Sequence, residues 1–404
     1  MRYPLRLISA RSRTALERYL ADAGVDPYGI RVMAAKAETL IVRIDCVPAP
    51  AANIIKQQLL SIGGDAAVHR EVIRGNPPRS TVYIVADRSR LSKLPDKFAP
   101  QPFGLAELGE EIVRLVAAAE EPPAAVSLPD GELDLASGPV IVGVLNATPD
   151  SFSDGGRYLD PGKACERALE MVEEGAGVID IGGESSRPGA AEVSAEEELG
   201  RVRPIIARLA GSVSAPISID TRKALVAEAA LGAGAAIIND VSGLRHDPAM
   251  LETAARAQAA VVVMHMLGDP ATMQNKPSYD DVTSEILAWL GERTDAMMAA
   301  GIRRDKIIVD PGIGFGKRLE HNLTLLAEIG DFRSLGFPVM VGYSRKSFLG
   351  SVTGREVGDR LSGGFAALAR ALEGGVRLVR VHDVRETADF VKVWKAIEGK
   401  ANGQ

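Results

Sequence analysis

The chain has very little cysteine: two residues in 404, Cys46 and Cys165, far apart and without ligand spacing between them. That excludes a disulfide framework and a cysteine zinc site, and it points to the reducing cytosol, so a cytoplasmic protein is expected. The five histidines form no His-x-His or His-Glu-x-x-His pair, which disfavours a zinc hydrolase. No uncharged apolar run approaches the ~18 residues of a membrane helix, so no membrane association is expected. The opening MRYPLRLISARSR lacks the apolar stretch and small-residue cleavage site of a secretory signal. An excess of positive charge is also missing. The net charge of −6 argues against a general nucleic-acid binder. Gly312-Ile-Gly-Phe-Gly-Lys317 lacks four residues between Gly and Gly-Lys and is not followed by Ser or Thr, so a nucleotide-triphosphatase loop is disfavoured.

Hydrophobic residues make up 46% and charged residues 25%, the balance of a soluble globular protein. The length exceeds one domain of ~150 residues and suits a (β/α)₈ barrel of ~250 residues with a smaller companion. The proline-bearing stretch 120–131 marks the boundary. The expected organisation is a small α+β domain of unassigned role over 1–125, a linker over 126–138, and the barrel over 139–404. Residues 1–125 carry 17 basic and 14 acidic residues, so the acidity resides in the remainder. Glycine is skewed the same way: 9 of 41 lie at or before Gly138, which places the loop-rich machinery in the second part.

In the first part, strands are expected at 39–45, 66–73 and 81–86 and helices at 51–62 and 105–118, a ferredoxin-like α+β layer. No chemical constellation stands out there. The second part alternates short β-branched runs with helical stretches. The runs are 140–145, 178–181, 216–219, 235–238, 260–264, 306–309, 338–341 and 377–381. Eight such units close a parallel barrel; an open doubly wound sheet is the lesser fit.

The ends of these strands are polar: Asn146, Asp180, Asp220, Asn239, His265, Asp310, the Ser344-Arg345-Lys346 triplet, and His382 preceded by Arg380. A lone Asp at a strand end is more often a helix cap. A full ring of them marks the C-terminal rim where barrel enzymes collect their chemistry. Asp220, Asn239, Asp310 and Lys346 offer the paired donors and acceptors that a flat heterocycle with an amidine-like edge needs. Arg380, His382, Arg187 and Ser186 offer donors and positive charge suited to phosphate oxygens. Asn146 is an oxygen ligand suited to Mg²⁺. Two long glycine-bearing loops, 148–156 and 184–189, read as covers that exclude water.

Several motifs in this order resemble the pterin-binding enzyme family and, within it, dihydropteroate synthases. They are Gly143-Val-Leu-Asn-Ala-Thr-Pro-Asp-Ser-Phe-Ser-Asp-Gly-Gly156, Asp180-Ile-Gly-Gly-Glu-Ser-Ser-Arg-Pro-Gly189, Ser218-Ile-Asp-Thr221, Ile238-Asn-Asp-Val241, Met264-His-Met266, Asp310-Pro-Gly-Ile-Gly-Phe-Gly-Lys317, Gly342-Tyr-Ser-Arg-Lys-Ser-Phe-Leu-Gly350 and Arg380-Val-His-Asp-Val384. The resemblance covers about two-thirds of the chain. It implies condensation of 6-hydroxymethyl-7,8-dihydropterin diphosphate with 4-aminobenzoate to 7,8-dihydropteroate and diphosphate, in folate biosynthesis. Mg²⁺ is implied as cofactor, a homodimer as the assembly, and sulfonamides as antagonists.

The resemblance assigns the pterin to Asp220, Asn239, Met264, Asp310, Phe315 and Lys346. It assigns diphosphate to Asn146, Arg187, Arg380 and His382, with Asn146 also on the metal. Aminobenzoate falls to Phe152, Ser186, Arg187, Pro188, Lys346 and Ser347. Catalytic roles fall to Asp154, Asp220, Lys346, Arg380 and His382. Ser186 departs from the family, which usually has Thr there; the hydroxyl is kept and a methyl lost. Two other readings stay open at this point: a methyltetrahydrofolate–corrinoid methyltransferase, which would need no diphosphate site, and a non-catalytic pterin-binding protein.

Overall fold

The computed structural model describes residues 13–148, 161–185 and 192–402. The chain forms two compact units, residues 1–120 with 394–404, and residues 121–393. In the first, β1 (Leu40–Pro48), β2 (Asp65–Ala67) and β3 (Arg79–Ala86) make an antiparallel sheet in the order β1-β3-β2. Val82, Ile84 and Ala86 point inward along β3 at the strand period of two. They join Ile55 and Leu59 of helix Ala49–Ser61 and Leu105 and Ile112 of helix Leu105–Glu120 in one apolar cluster.

The strand expected over 66–73 stops at Ala67. Val72–Arg74 is a 3₁₀ turn closed by Gly75 at φ +78°, and Ile73 faces solvent. The α+β class holds with three paired strands among the described residues. Helices Arg13–Asp22 and Pro27–Ala37 were not anticipated. The second carries a readable start signal: Asp26 accepts from the backbone N–H of Tyr28 and Gly29, with Pro27 in the first turn.

Residues 126–138 do not act as a linker. β4 (Ala125–Ser127) and β5 (Glu132–Asp134) pair as a hairpin. Its Val126, Leu128, Leu133 and Leu135 pack against Val142, Val178, Ile237, Ala260, Ile308, Met340 and Leu378, which lie at or near the starts of the strands that follow. The prolines around the hairpin shape its entry and do not free the chain. Leu135 is fully buried there. Leu135→Ala is expected to cost ~2–5 kcal/mol, the range for emptying a buried leucine site. Denaturant unfolding of the full chain reads this, and an unchanged midpoint would detach the hairpin from the core.

The following strands are β6 (Val140–Asn146), β7 (Val178–Gly182), β8 (Ile217–Asp220), β9 (Ile237–Asp240), β10 (Ala260–Met264), β11 (Ile307–Asp310), β12 (Met340–Gly342) and β13 (Leu378–Val381). All neighbours are parallel, in the order β11-β10-β9-β8-β7-β6-β13-β12. A parallel bridge between Val309 and Val339 closes the ring. The (β/α)₈ barrel is as expected, because each β-branched run is buried on both faces and each is followed by helix. Among the described residues, no helix is long and apolar enough to cross a membrane.

Candidate active site

Strand parity builds the site. Side chains alternate, so a residue two beyond a core position also points into the barrel. The core positions Val178, Ile237, Ile308 and Leu378 are therefore followed by Asp180, Asn239, Asp310 and Arg380. Val178, Asp180, Ser218, Ile237, Asn239, Val262, Ile308, Met340 and Leu378 line one small interior space. Asp220 stands two residues past Ser218 and Met264 two past Val262. Hydrophobic lower layers thus give way to a polar rim at the C-terminal ends.

The centre of the rim is one guanidinium between two carboxylates. Arg380 Nε donates to Asp180 Oδ2 at 2.6 Å, and Nη2 donates to Asp220 Oδ2 at 2.7 Å. Asp180 Oδ2 also accepts from Asn239 Nδ2 at 3.1 Å, while its Oδ1 is buried without a partner among the described residues. Burial pushes the Asp220 carboxyl up to about 7; Arg380 opposes the rise, and Asp180, Glu198 and Asp240 add to it. Burial also works against the charge of Arg380, but the two carboxylates outweigh it and hold the guanidinium above its ordinary value.

Beside this lies the glycine turn after β11. Asp310 Oδ1 accepts from Gly312 N–H at 2.7 Å. Burial raises the Asp310 carboxyl, opposed by Lys346 and by that N–H. Gly312, Gly314 and Gly316 all have positive φ, and a Cβ on Gly312 would stand 2.0 Å from the His265 carbonyl oxygen. Only glycine can make this turn. The turn delivers Phe315 to a cluster with Val241, Met264, Met266 and Met273. Lys346 Nζ sits 4.7 Å from the Phe315 ring centroid and donates to the Ile313 carbonyl. Burial lowers this ammonium to about 8, opposed by Asp310.

Other expected residues are placed as follows. Asn146 ends β6, half-buried, with no hydrogen bond from its carboxamide to the described residues. His382 Nδ1 lies 3.1 Å from Ser344 Oγ. Ser347 starts the helix Ser347–Thr353 and is exposed. Phe152, Asp154, Ser186, Arg187 and Pro188 lie outside the described residues. The foot of the second loop is described: Glu184 accepts from Lys223 Nζ at 2.8 Å and from Arg222 Nη2 at 3.3 Å. Burial opposes its charge, but these two cations hold the Glu184 carboxyl below its ordinary value. Lys223 also donates to the fully buried Glu198 at 2.7 Å. Among the described residues, no group of three His, Cys, Asp or Glu gathers to hold a metal ion.

Sequence reasoning assigned no role to Asp180, which anchors both Arg380 and Asn239, or to Lys317, which is buried behind Phe315. Asp180 carried a usable signal, since it shares the inward parity of Val178. Lys317 did not, because two of its three partners, the ring nitrogen and the carbonyl of His265, come from 52 positions away.

The rim matches known proteins. Residues 142–382 match the family described as pterin binding enzyme. A dihydropteroate synthase from Haemophilus influenzae is 45% identical over 264 residues, covering 65% of this chain and 95% of that protein. A solved structure of Xanthomonas albilineans dihydropteroate synthase with 4-aminobenzoic acid superposes with TM-score 0.64 at 44% identity, covering 68% of this chain and 98% of that one. A probable bifunctional folylpolyglutamate synthase/dihydropteroate synthase from Halobacterium salinarum is 41% identical over 399 residues. That match covers 97% of this chain and 46% of the relative, so it takes in residues ahead of the barrel as well. A closed barrel, a rim of two acids on one arginine, a glycine turn delivering Phe315, and these likenesses over the same residues agree: the chain belongs to the pterin binding enzyme family, among its dihydropteroate synthases.

Proposed function

We propose the following division of labour for the transferase reaction that joins 6-hydroxymethyl-7,8-dihydropterin diphosphate to 4-aminobenzoate. Asp220, Asn239 and Asp310 take the donor-rich edge of the pterin, with Lys346 above and Met264 and Phe315 against its faces. The convergence of Asp180, Asp220, Asn239, Asp310, Arg380 and Lys346 on one barrel mouth carries this reading. Raised carboxyls suit it, since Asp220 and Asp310 gain their charge most readily when a ligand brings N–H donors.

Arg380, His382 and Asn146 receive the diphosphate, with Arg187. Asn146 would hold a Mg²⁺ together with the diphosphate, because its side chain is a hard oxygen ligand that makes no hydrogen bond among the described residues. When bound, the ion would neutralise charge on the leaving group. Arg380 supplies positive charge to the leaving oxygens. The pterin ring spreads the charge that develops on the methylene as the C–O bond breaks, and Asp154 is assigned to stabilise that charge. The aniline nitrogen of 4-aminobenzoate is neutral at pH 7 and attacks without a strong base. Catalysis is then positioning and charge stabilisation. Ser186, Arg187, Pro188, Phe152 and Ser347, with Lys346, frame the aminobenzoate. A cytoplasmic homodimer completes the proposal.

Incubating the purified chain with the pterin diphosphate, Mg²⁺ and 4-aminobenzoate is expected to release diphosphate only when aminobenzoate is present. Release independent of aminobenzoate, or none, would remove the synthase reading. Omitting Mg²⁺ is expected to weaken diphosphate binding and to leave binding of a diphosphate-free pterin intact.

A further inference from the structure

We infer that Lys317 is a positioning residue for the pterin wall of the barrel mouth, tying the end of β10 to the turn that presents Phe315. Lys317 is 3% exposed and forms no salt bridge among the described residues. Its Nζ lies 3.0 Å from His265 Nδ1, 3.3 Å from the His265 carbonyl oxygen and 3.0 Å from the Phe315 carbonyl oxygen. Three acceptors meet the three hydrogens of an ammonium. The arrangement needs His265 to accept at Nδ1 and carry its proton on Nε2. Burial and the neighbouring Lys317 keep that imidazole neutral, lowering it to about 2.

Burying an amine this way is costly, since desolvation presses the ammonium down. What it secures is specific. His265 follows Met264, and Phe315 lies across the same cluster. The turn has other fasteners: Tyr279 Oη donates to the Gly316 carbonyl at 2.9 Å, Asn322 Oδ1 accepts from Gly314 N–H at 2.6 Å, and Gln274 donates to the Gly314 carbonyl at 2.9 Å. These hold the glycines. Among the described residues, Lys317 alone bonds the Phe315 carbonyl and joins it to β10. Asp310, across the turn, favours the charged amine and so links this brace to the carboxylate expected to hold the pterin.

The inference rests on the pterin reading of the site, and its test separates the two. Lys317→Met and the wild type are titrated calorimetrically with the pterin diphosphate and, separately, with inorganic diphosphate and Mg²⁺, and thermal melts establish folding. Pterin affinity is expected to fall about tenfold or more, the scale of hydrogen bonds to a charged donor, with diphosphate affinity retained. If the wild type binds diphosphate but no pterin, the pterin reading itself fails. Unchanged pterin affinity in folded Lys317→Met, or an equal loss of both ligands, overturns the positioning role. Should that variant not fold, His265 decides the matter. His265→Asn keeps an acceptor for Lys317 and is expected to retain pterin affinity, while His265→Leu removes it and is expected to lose about tenfold. Equal affinities for the two His265 variants also overturn the inference.

Discussion

Arg380→Ala is expected to cut kcat/KM by about 10²–10³-fold, the loss seen when one preorganised charge-stabilising donor is removed. It is also expected to destabilise the fold by ~3–5 kcal/mol at pH 8, because a buried pair loses one partner and leaves the other uncompensated. Two carboxylates are left facing each other: Asp180, fully buried, and Asp220, with a side chain 12% exposed. The stability loss is expected to be smaller at pH 5. In the wild type, burial already holds Asp220 at about 7, above its ordinary 3.8. A carboxyl raised on folding binds more protons in the native state, so its contribution is complete at acid pH and is lost as pH rises toward the folded value. Arg380 opposes that rise, so removing it moves the folded value higher and extends the window of loss above pH 7. Denaturant unfolding at pH 5 and pH 8 checks this. Equal destabilisation at both would mean that the two carboxylates do not share the guanidinium. Arg380→Lys is expected to recover little, since an ammonium cannot present Nε and Nη2 to two acids in fixed geometry.

The barrel was legible because one physical signal served two purposes. The same β-branched run that marks a strand fixes which neighbours point inward, so Asp220, Asn239, Asp310 and Arg380 could be read as a rim before any geometry was known. The eight observed strands, such as β10 at Ala260–Met264, fall within one or two residues of those runs. Pairings across the barrel were not legible. Asp180 and Arg380 are 200 residues apart, and nothing local distinguishes an aspartate that anchors an arginine from one that faces a ligand. Residues 126–138 misled for a related reason: proline marks where helices stop but not whether the flanking leucines find a core, and here the strand starts supply one. The run 66–73 misled because its apolar residues follow the strand period only until the 3₁₀ turn at Val72–Arg74 puts Ile73 in solvent.

The second large effect belongs to a hydrogen atom on the glycine turn. Gly312→Ala is expected to cost ~2–5 kcal/mol, combining ~1–2 for a left-handed non-glycine residue with ~1–3 for overpacking. It is also expected to abolish measurable pterin binding. Gly312 has φ +71°, and an added Cβ would stand 2.0 Å from the His265 carbonyl oxygen. That carbonyl cannot retreat cheaply, because His265 N–H donates to the Asp310 carbonyl at 3.0 Å and Lys317 donates to the oxygen itself. The turn must therefore move. When it does, Asp310 loses the Gly312 N–H at 2.7 Å, one of the groups that oppose the rise burial imposes on its carboxyl. Gly354 separates strain from collision. It has the same φ of +71°, and a Cβ there would meet nothing within 4 Å. Gly354→Ala is expected to lose only the ~1–2 kcal/mol of conformational strain and to keep its pterin affinity. Urea midpoints and calorimetric titration of both variants make the comparison. Equal losses at the two glycines would place the whole effect in backbone strain and leave the contact between the turn and β10 without a role in holding Asp310.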